Sequence, residues 1–226
     1  MTQLRALPKL IAAQVKLLLR EPMSGFFSVA FAPSLLILLG LIFGNTHDPM
    51  FAGRGQVDVY VPAYASIVIG VMGIMIVPIE TTSRRESGIL RRFRATPLRP
   101  LTYIASDVVA YFVMVILGIA LVFLVGTVGF GVAFTGSVIA VAGGICLSAA
   151  AFLAIGYVLA GVLPSPRVAP IVGNLLLYPL MIFSGVTVPL ELMPQAVRTI
   201  AHYLPLTSVA LLMRGLWFGE PAASYL

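Results

Sequence analysis

Charge is what this sequence lacks. Of 226 residues, 10% are charged and 60% hydrophobic, against about 25% and about 45–50% in an ordinary soluble domain. Fourteen cations and eight carboxylates are too few to coat a soluble globule of this size. Only one cysteine, Cys146, is present, which excludes a disulfide framework and a cysteine metal site; the expectation is a small core residue. The two histidines, His47 and His202, are isolated, and no His-Glu-x-x-His occurs. Neither lysine follows a glycine, so there is no Gly-x-x-x-x-Gly-Lys phosphate loop. If the protein moves anything uphill, the energy comes from another chain.

What is present is long apolar sequence. Pro22 to Thr46, Val59 to Ile79, Val108 to Pro166 and Val168 to Leu190 contain no ionisable side chain except cysteine and tyrosine. A helix needs about 20 apolar residues to cross about 30 Å of hydrocarbon, and these runs are continuous rather than alternating, which excludes a β-barrel. The chain therefore reads as an all-α integral membrane protein, one transmembrane domain over residues 1–226. Five spans are expected: Gly25–Gly44, Tyr60–Ile79, Asp107–Val128, Ser137–Leu163 and Val168–Val188. The glycines Gly126, Gly129, Gly131 and Gly136 break the longest run into two helices. The first run lacks the cleavage site of a signal peptide. After the fifth span, 189–215 is expected as a re-entrant segment, with Ala201 to Met213 too short to cross alone.

The cations are unevenly placed. Arg5, Lys9, Lys16 and Arg20, six arginines between spans two and three, and Arg167 make eleven on one side. Arg54, Arg198 and Arg214 fall on the other. The positive-inside rule puts the N-terminus and the basic loop in the cytoplasm, so the net charge of +6 reflects membrane orientation rather than nucleic acid. Glu80 and Asp107 fall at span ends, within reach of headgroups and of pairing with loop arginines, and no charge is expected mid-membrane. A proton- or sodium-coupled carrier usually needs a deeper acid, which weighs against that class.

Two elements on the basic side carry structure of their own. Leu4, Leu7, Ile11, Val15 and Leu18 fall on one face at about 100° per residue, with the cations opposite, so residues 1–21 read as an interfacial amphipathic helix starting near Pro8. Its basic face points to water or docks a partner. In the loop 81–106, Ile89, Leu90 and Phe93 form an apolar edge on a short helix among Arg84, Arg85, Arg91, Arg92 and Arg94, ended by Pro97 and Pro100. Arginine suits planar carboxylate and phosphate contacts. The loop fits a rigid knob for another protein, or a surface for anionic lipid. In span five, Asn174, Tyr178 and Ser184 lie near Pro179, for hydrogen bonds between helices or for a translocation path. Gly40-Leu-Ile-Phe-Gly44 permits a close helix contact.

With these features in order, the sequence resembles the membrane permease subunits of type-2 ABC exporters, the group that includes the daunorubicin-type drug export permeases. The resemblance covers nearly the whole chain. It rests on Arg20-Glu21-Pro22 after the amphipathic helix and on Arg85-Glu86-Ser87-Gly88-Ile89-Leu90-Arg91-Arg92-Phe93-Arg94-Ala95-Thr96-Pro97-Leu98. Its third part is Ser184-Gly185-Val186-Thr187-Val188-Pro189-Leu190-Glu191-Leu192-Met193-Pro194, continued by Leu204-Pro205-Leu206-Thr207 and Arg214-Gly215. It implies a transport subunit without its own ATPase site, in the inner membrane of a bacterial cell. Two permeases, alike or different, would pair, each with a cytoplasmic ATP-binding subunit that holds the ATP and Mg; this chain itself would bind no cofactor or metal.

Arg84, Arg85, Glu86, Gly88, Leu90, Arg91, Arg92, Phe93, Arg94 and Pro97 would then couple to the ATPase. Asn174, Tyr178, Phe183 and Ser184 would lie on the path, with spans two and five lining it and span one at the dimer contact. Gly185, Pro189, Glu191 and Pro194 would belong to the external re-entrant segment. The expected cargo is an amphipathic drug, lipid or glycoconjugate. The family has a sixth span after the Arg214-Gly215 region, whereas eleven residues follow Gly215 here; either the sequence stops short of the natural C-terminus or this member lacks that span. The alternatives to an exporter are a membrane scaffold whose basic loop recruits a protein or anionic lipid, and an ion-coupled carrier.

Overall fold

The computed structural model describes residues 2–45, 54–88, 100–187, 190 and 193–220, the side chains of 2–6, 100 and 101 excepted. The described residues are helical and contain no strand. An N-terminal helix α1 (Thr2–Arg20) leads into α2 (Pro22–Phe43), α3 (Gln56–Glu86), α4 (Thr102–Gly129) and α5 (Val138–Val162). These last four are long and apolar enough to cross a membrane. They are followed by α6 (Val168–Phe183), α7 (Gln195–Ala201) and α8 (Pro205–Phe218).

The third helix is the hub. Its most apolar stretch is 94% buried, because α2, α4, α5, α6 and α8 all pack on it. A helix apolar on every face has no preferred side for water or lipid and can be enclosed on all of them. Within this one chain the apolar stretch of α3 is enclosed, whereas α6 presents an exposed face.

Close backbone contact holds the hub to α5. A methyl group added at Gly73 would sit 2.4 Å from the Phe152 carbonyl oxygen, and one at Gly156 would sit 2.2 Å from the Gly73 oxygen. Small residues at such crossings let helices meet where lipid supplies no hydrophobic drive. Gly73 also lies in a π-helical turn, Val71–Ile76. Gly156→Leu is expected to destabilise the purified chain by about 1–3 kcal/mol through overpacking, read by thermal unfolding in detergent. Gly161→Leu, where nothing lies within 4 Å, is the matched control and should melt like the parent.

Several expectations change. α1 starts at Thr2 rather than Pro8 and carries Pro8 inside it. α3 runs to Glu86, seven residues past the expected end of span two, since helix propensity continues beyond the hydrocarbon. α6 has 16 residues, about 24 Å at 1.5 Å per residue, short of the expected 168–188. It ends where Gly185 turns the chain with φ +80. Where a re-entrant segment is expected, the chain forms two helices, α7 and α8, bent by 90°. Gly40 does not pair helices through Gly44: Gly40 receives the Phe130 ring, 2.2 Å from where a methyl would sit, and Gly44 is a positive-φ residue closing α2. Cys146 is exposed on α5 rather than buried, because α5 turns Gly144, Ser148 and Ala149 inward instead.

At the end remote from the basic loop, the α4–α5 turn is fixed to α8 by aromatic and polar contacts. Trp217 packs its ring 4.5 Å from Phe123 and 4.8 Å from Phe134. Arg54 pairs with Glu220 and lies 3.7 Å over the Phe218 ring. Asn45 donates to Asp58 at 3.0 Å, and Asp58 accepts the Gly55 N–H at 3.0 Å.

Candidate functional site

The site grows from the last turns of α3, which carry Glu80, Thr82, Arg84 and Arg85. Glu80 and Arg84, one turn apart, lie on the same face. That face meets α2 and α4, so both side chains enter the bundle. The Ser24 hydroxyl on α2 donates to Glu80 Oε1 at 2.6 Å. Arg84 lies 3.8 Å from Glu80 Oε2 and forms an ion pair with Asp107 of α4. It also donates to the Tyr103 hydroxyl at 3.2 Å. The Tyr157 hydroxyl on α5 donates to Asp107 Oδ2 at 3.1 Å, and the Tyr111 ring stands edge-on to Tyr157 at 6.4 Å.

Four helices thus meet on one guanidinium and two buried carboxylates, with the exposed Glu21 carboxyl beside Glu80. Glu80 is 8% and Asp107 4% exposed, which departs from the expectation that both reach headgroups and agrees with pairing to a loop arginine, Arg84. Buried charge is tolerated when paired and hydrogen-bonded, and every charge here has such a partner. Arg85 acts differently. It donates to the Ala160 carbonyl at 3.1 Å and to that of Leu163, oxygens left open at the end of α5, where a cation also suits the helix dipole.

The loop that follows is therefore held at both stems. On the α3 side, Ser87 N–H donates to Ser83 at 3.0 Å and Gly88, at φ +69, donates to Arg85 at 3.3 Å; this left-handed turn ends the helix in a conformation glycine adopts freely. On the α4 side stand Tyr103 and Asp107. Helix α1 is tied to the same stem by Gln14, which donates to Ser106 at 2.9 Å. Its stripe residue Leu18 is buried, with Leu7, Ile11 and Val15 half-buried.

Of the expected coupling residues, Arg84 is spent inside the bundle, Arg85 is exposed and binds the end of α5, and Glu86 is exposed beside it. Leu90, Arg91, Arg92, Phe93, Arg94 and Pro97 lie outside the described residues. On α6, Asn174 is half-buried and Tyr178 56% exposed, one turn apart on one face. Phe183 is exposed, but Ser184 turns inward and donates to Met181 at 3.3 Å, so the four do not form one surface. Gly185 lies under the Leu190 side chain, and Pro194 precedes α7 as its cap. Pro189 and Glu191 lie outside the described residues. The tyrosines and Ser24 of the buried cluster were missed by sequence reasoning; the one signal was the Glu80–Arg84 spacing facing Asp107 across the loop. Among the described residues no three His, Cys, Asp or Glu side chains gather as a metal site.

The sequence profile of the family described as "ABC-2 type transporter" matches residues 5–218, from α1 through α8. The chain belongs to the ABC-2 type transporter family. It is also similar to a Bacillus subtilis (strain 168) protein named "Putative transport permease YvfS", with 30% identity over 141 residues, 61% of this chain. The match spans 57% of that relative's length. This ABC-2 family member is a multi-pass membrane protein.

Proposed function

We propose that this chain is the permease subunit of an ATP-driven exporter in a bacterial inner membrane, with α1 and the basic loop in the cytoplasm. It pairs with a second permease, and each works with a separate ATP-binding subunit that binds ATP and Mg. The loop from Glu86 through Arg91, Arg92, Phe93 and Arg94 to Pro97 docks on that subunit. The exposed face of α6 with Asn174 and Tyr178 borders the path, Gly185 to Pro194 closes the far side, and the cargo is an amphipathic drug, lipid or glycoconjugate. The observation that carries this reading is the Arg84–Asp107 ion pair at the root of the loop. It joins both stems to one buried cluster, so a displacement of the loop is delivered to α2, α3, α4 and α5 together.

The test places a photo-crosslinking amino acid at Glu86 in cells of the native host. Capture of an ATP-binding protein, which also co-purifies at one copy per permease, is the expected result. Recovery of lipid alone would favour the scaffold reading. The buried Glu80 and Asp107 favour a second reading, an ion-coupled carrier, since carboxylates within spans mark proton and ion paths. Uptake driven by an ion gradient in vesicles without ATP would establish it in place of the exporter.

A further inference from the structure

We infer that the groove between α1 and α4 is a binding site for one anionic phospholipid. This stands apart from the ATPase coupling proposed above. Helix α1 does not lay its whole apolar stripe on the bundle. Leu18 and Gln14 face α4, the first 2% exposed and the second bonded to Ser106. The neighbouring edge of the stripe is left open. Ile11, Ala12, Val15 and Leu19, with Val113 of α4, line a groove of about 540 Å³, within the roughly 300–1,000 Å³ common for ligand sites.

The rim of this groove is cationic. Lys16 and Arg20 line it, one turn apart and so side by side on the helix. Both are exposed, and neither makes an ion pair among the described residues, Glu21 included. An apolar floor with two adjacent cations at its edge matches an acyl chain joined to a phosphate: the chain fills the groove and the phosphate accepts from the ammonium and the guanidinium. The groove also lies where such a molecule is found. Helix α1 passes at Glu21 directly into α2, whose apolar sequence begins at Pro22, so the groove borders the membrane–water boundary. A zwitterionic lipid offers the same chains but carries its own cation against Lys16 and Arg20. The occupant is therefore anionic, with phosphatidylglycerol as the probe.

The experiment follows thermal unfolding of the detergent-purified full chain with added lipid. Phosphatidylglycerol should raise the midpoint by about 3 °C or more beyond phosphatidylcholine, as ligand binding to the folded state requires. Lys16→Gln with Arg20→Gln should abolish that difference, and Lys16→Arg with Arg20→Lys should keep it. Ala12→Phe fills the groove with both cations intact and should also abolish it. Equal shifts from the two lipids would overturn the proposal, as would an undiminished preference in either the glutamine pair or Ala12→Phe. If the glutamine pair fails to fold, Ala12→Phe decides alone. Soluble glycerol 3-phosphate should give no shift; a shift equal to that of the lipid would reduce the site to one for a free anion and overturn the lipid assignment.

Discussion

Replacing Arg84 with glutamine is expected to destabilise the folded chain by about 3–5 kcal/mol, the cost typical of removing one partner of a buried ion pair. The magnitude follows from what is left behind. Without the guanidinium, Asp107 and Glu80 share a site beside Tyr103, Tyr111 and Tyr157, with Ser24 and Tyr157 as hydroxyl donors. An exposed pair removed in the same way would cost about 0–1 kcal/mol, so the two regimes are well separated. Thermal unfolding in detergent reads the difference, at roughly 2–4 °C per kcal/mol for a chain of this size. A melt within about 2 °C of the parent would place Arg84 in the weak regime and sink the claim that it joins the helices.

The chemistry of the variant series sharpens that expectation. Arg84→Lys keeps the charge but reaches as a single point, and loses the fork that contacts Asp107, Tyr103 and Glu80 at once. An intermediate loss is expected. Adding Asp107→Asn to Arg84→Gln should recover part of the stability, because an amide oxygen still accepts from Tyr157 while one of the two unpaired charges is gone. Recovery in the double variant separates loss of an ion pair from simple loss of packing.

How much of this was legible in the sequence differs by layer. Membrane helices announce themselves in one dimension: a charge-free run of the right length has few other uses, so the positions of α2 through α5 followed from composition alone. The ends of the helices did not. Ser83 to Glu86 are polar, and polarity ends a hydrophobic run without ending a helix; α3 continues until Gly88 supplies a left-handed turn. The packing was less legible still. An all-apolar span gives no amphipathic signal of which face is inside, so the exposure of Cys146 and the seating of the Phe130 ring on Gly40 are not legible from it. The cluster around Arg84 was visible only as charges at span ends. What converts boundary charges into a buried site is the approach of α2, α4 and α5 to one point, and no local pattern near Ser24, Tyr103 or Tyr157 specifies that approach.

The largest functional effect is expected one turn further along the chain. Replacing Glu86, Arg91 and Arg92 together with alanine should lower transport by about 5- to 150-fold, the span of ordinary coupling free energies, while ATP hydrolysis by the partner subunit continues. Glu86 is exposed and free of described contacts within the bundle, so its removal leaves the Ser24–Glu80–Arg84–Asp107 network whole. The variant should therefore melt like the parent and still form the permease pair. That combination distinguishes it from Arg84→Gln, which acts on the bundle and should lose stability and transport together. The logic is one of position along a lever. In the proposed docking, residues from Glu86 onward meet the partner and those up to Arg85 meet the helices, so only a break on the partner's side should separate hydrolysis from movement. Normal transport in the triple variant would move the docking surface elsewhere, and α1, whose Gln14–Ser106 bond reaches the same stem, would be the next place to substitute.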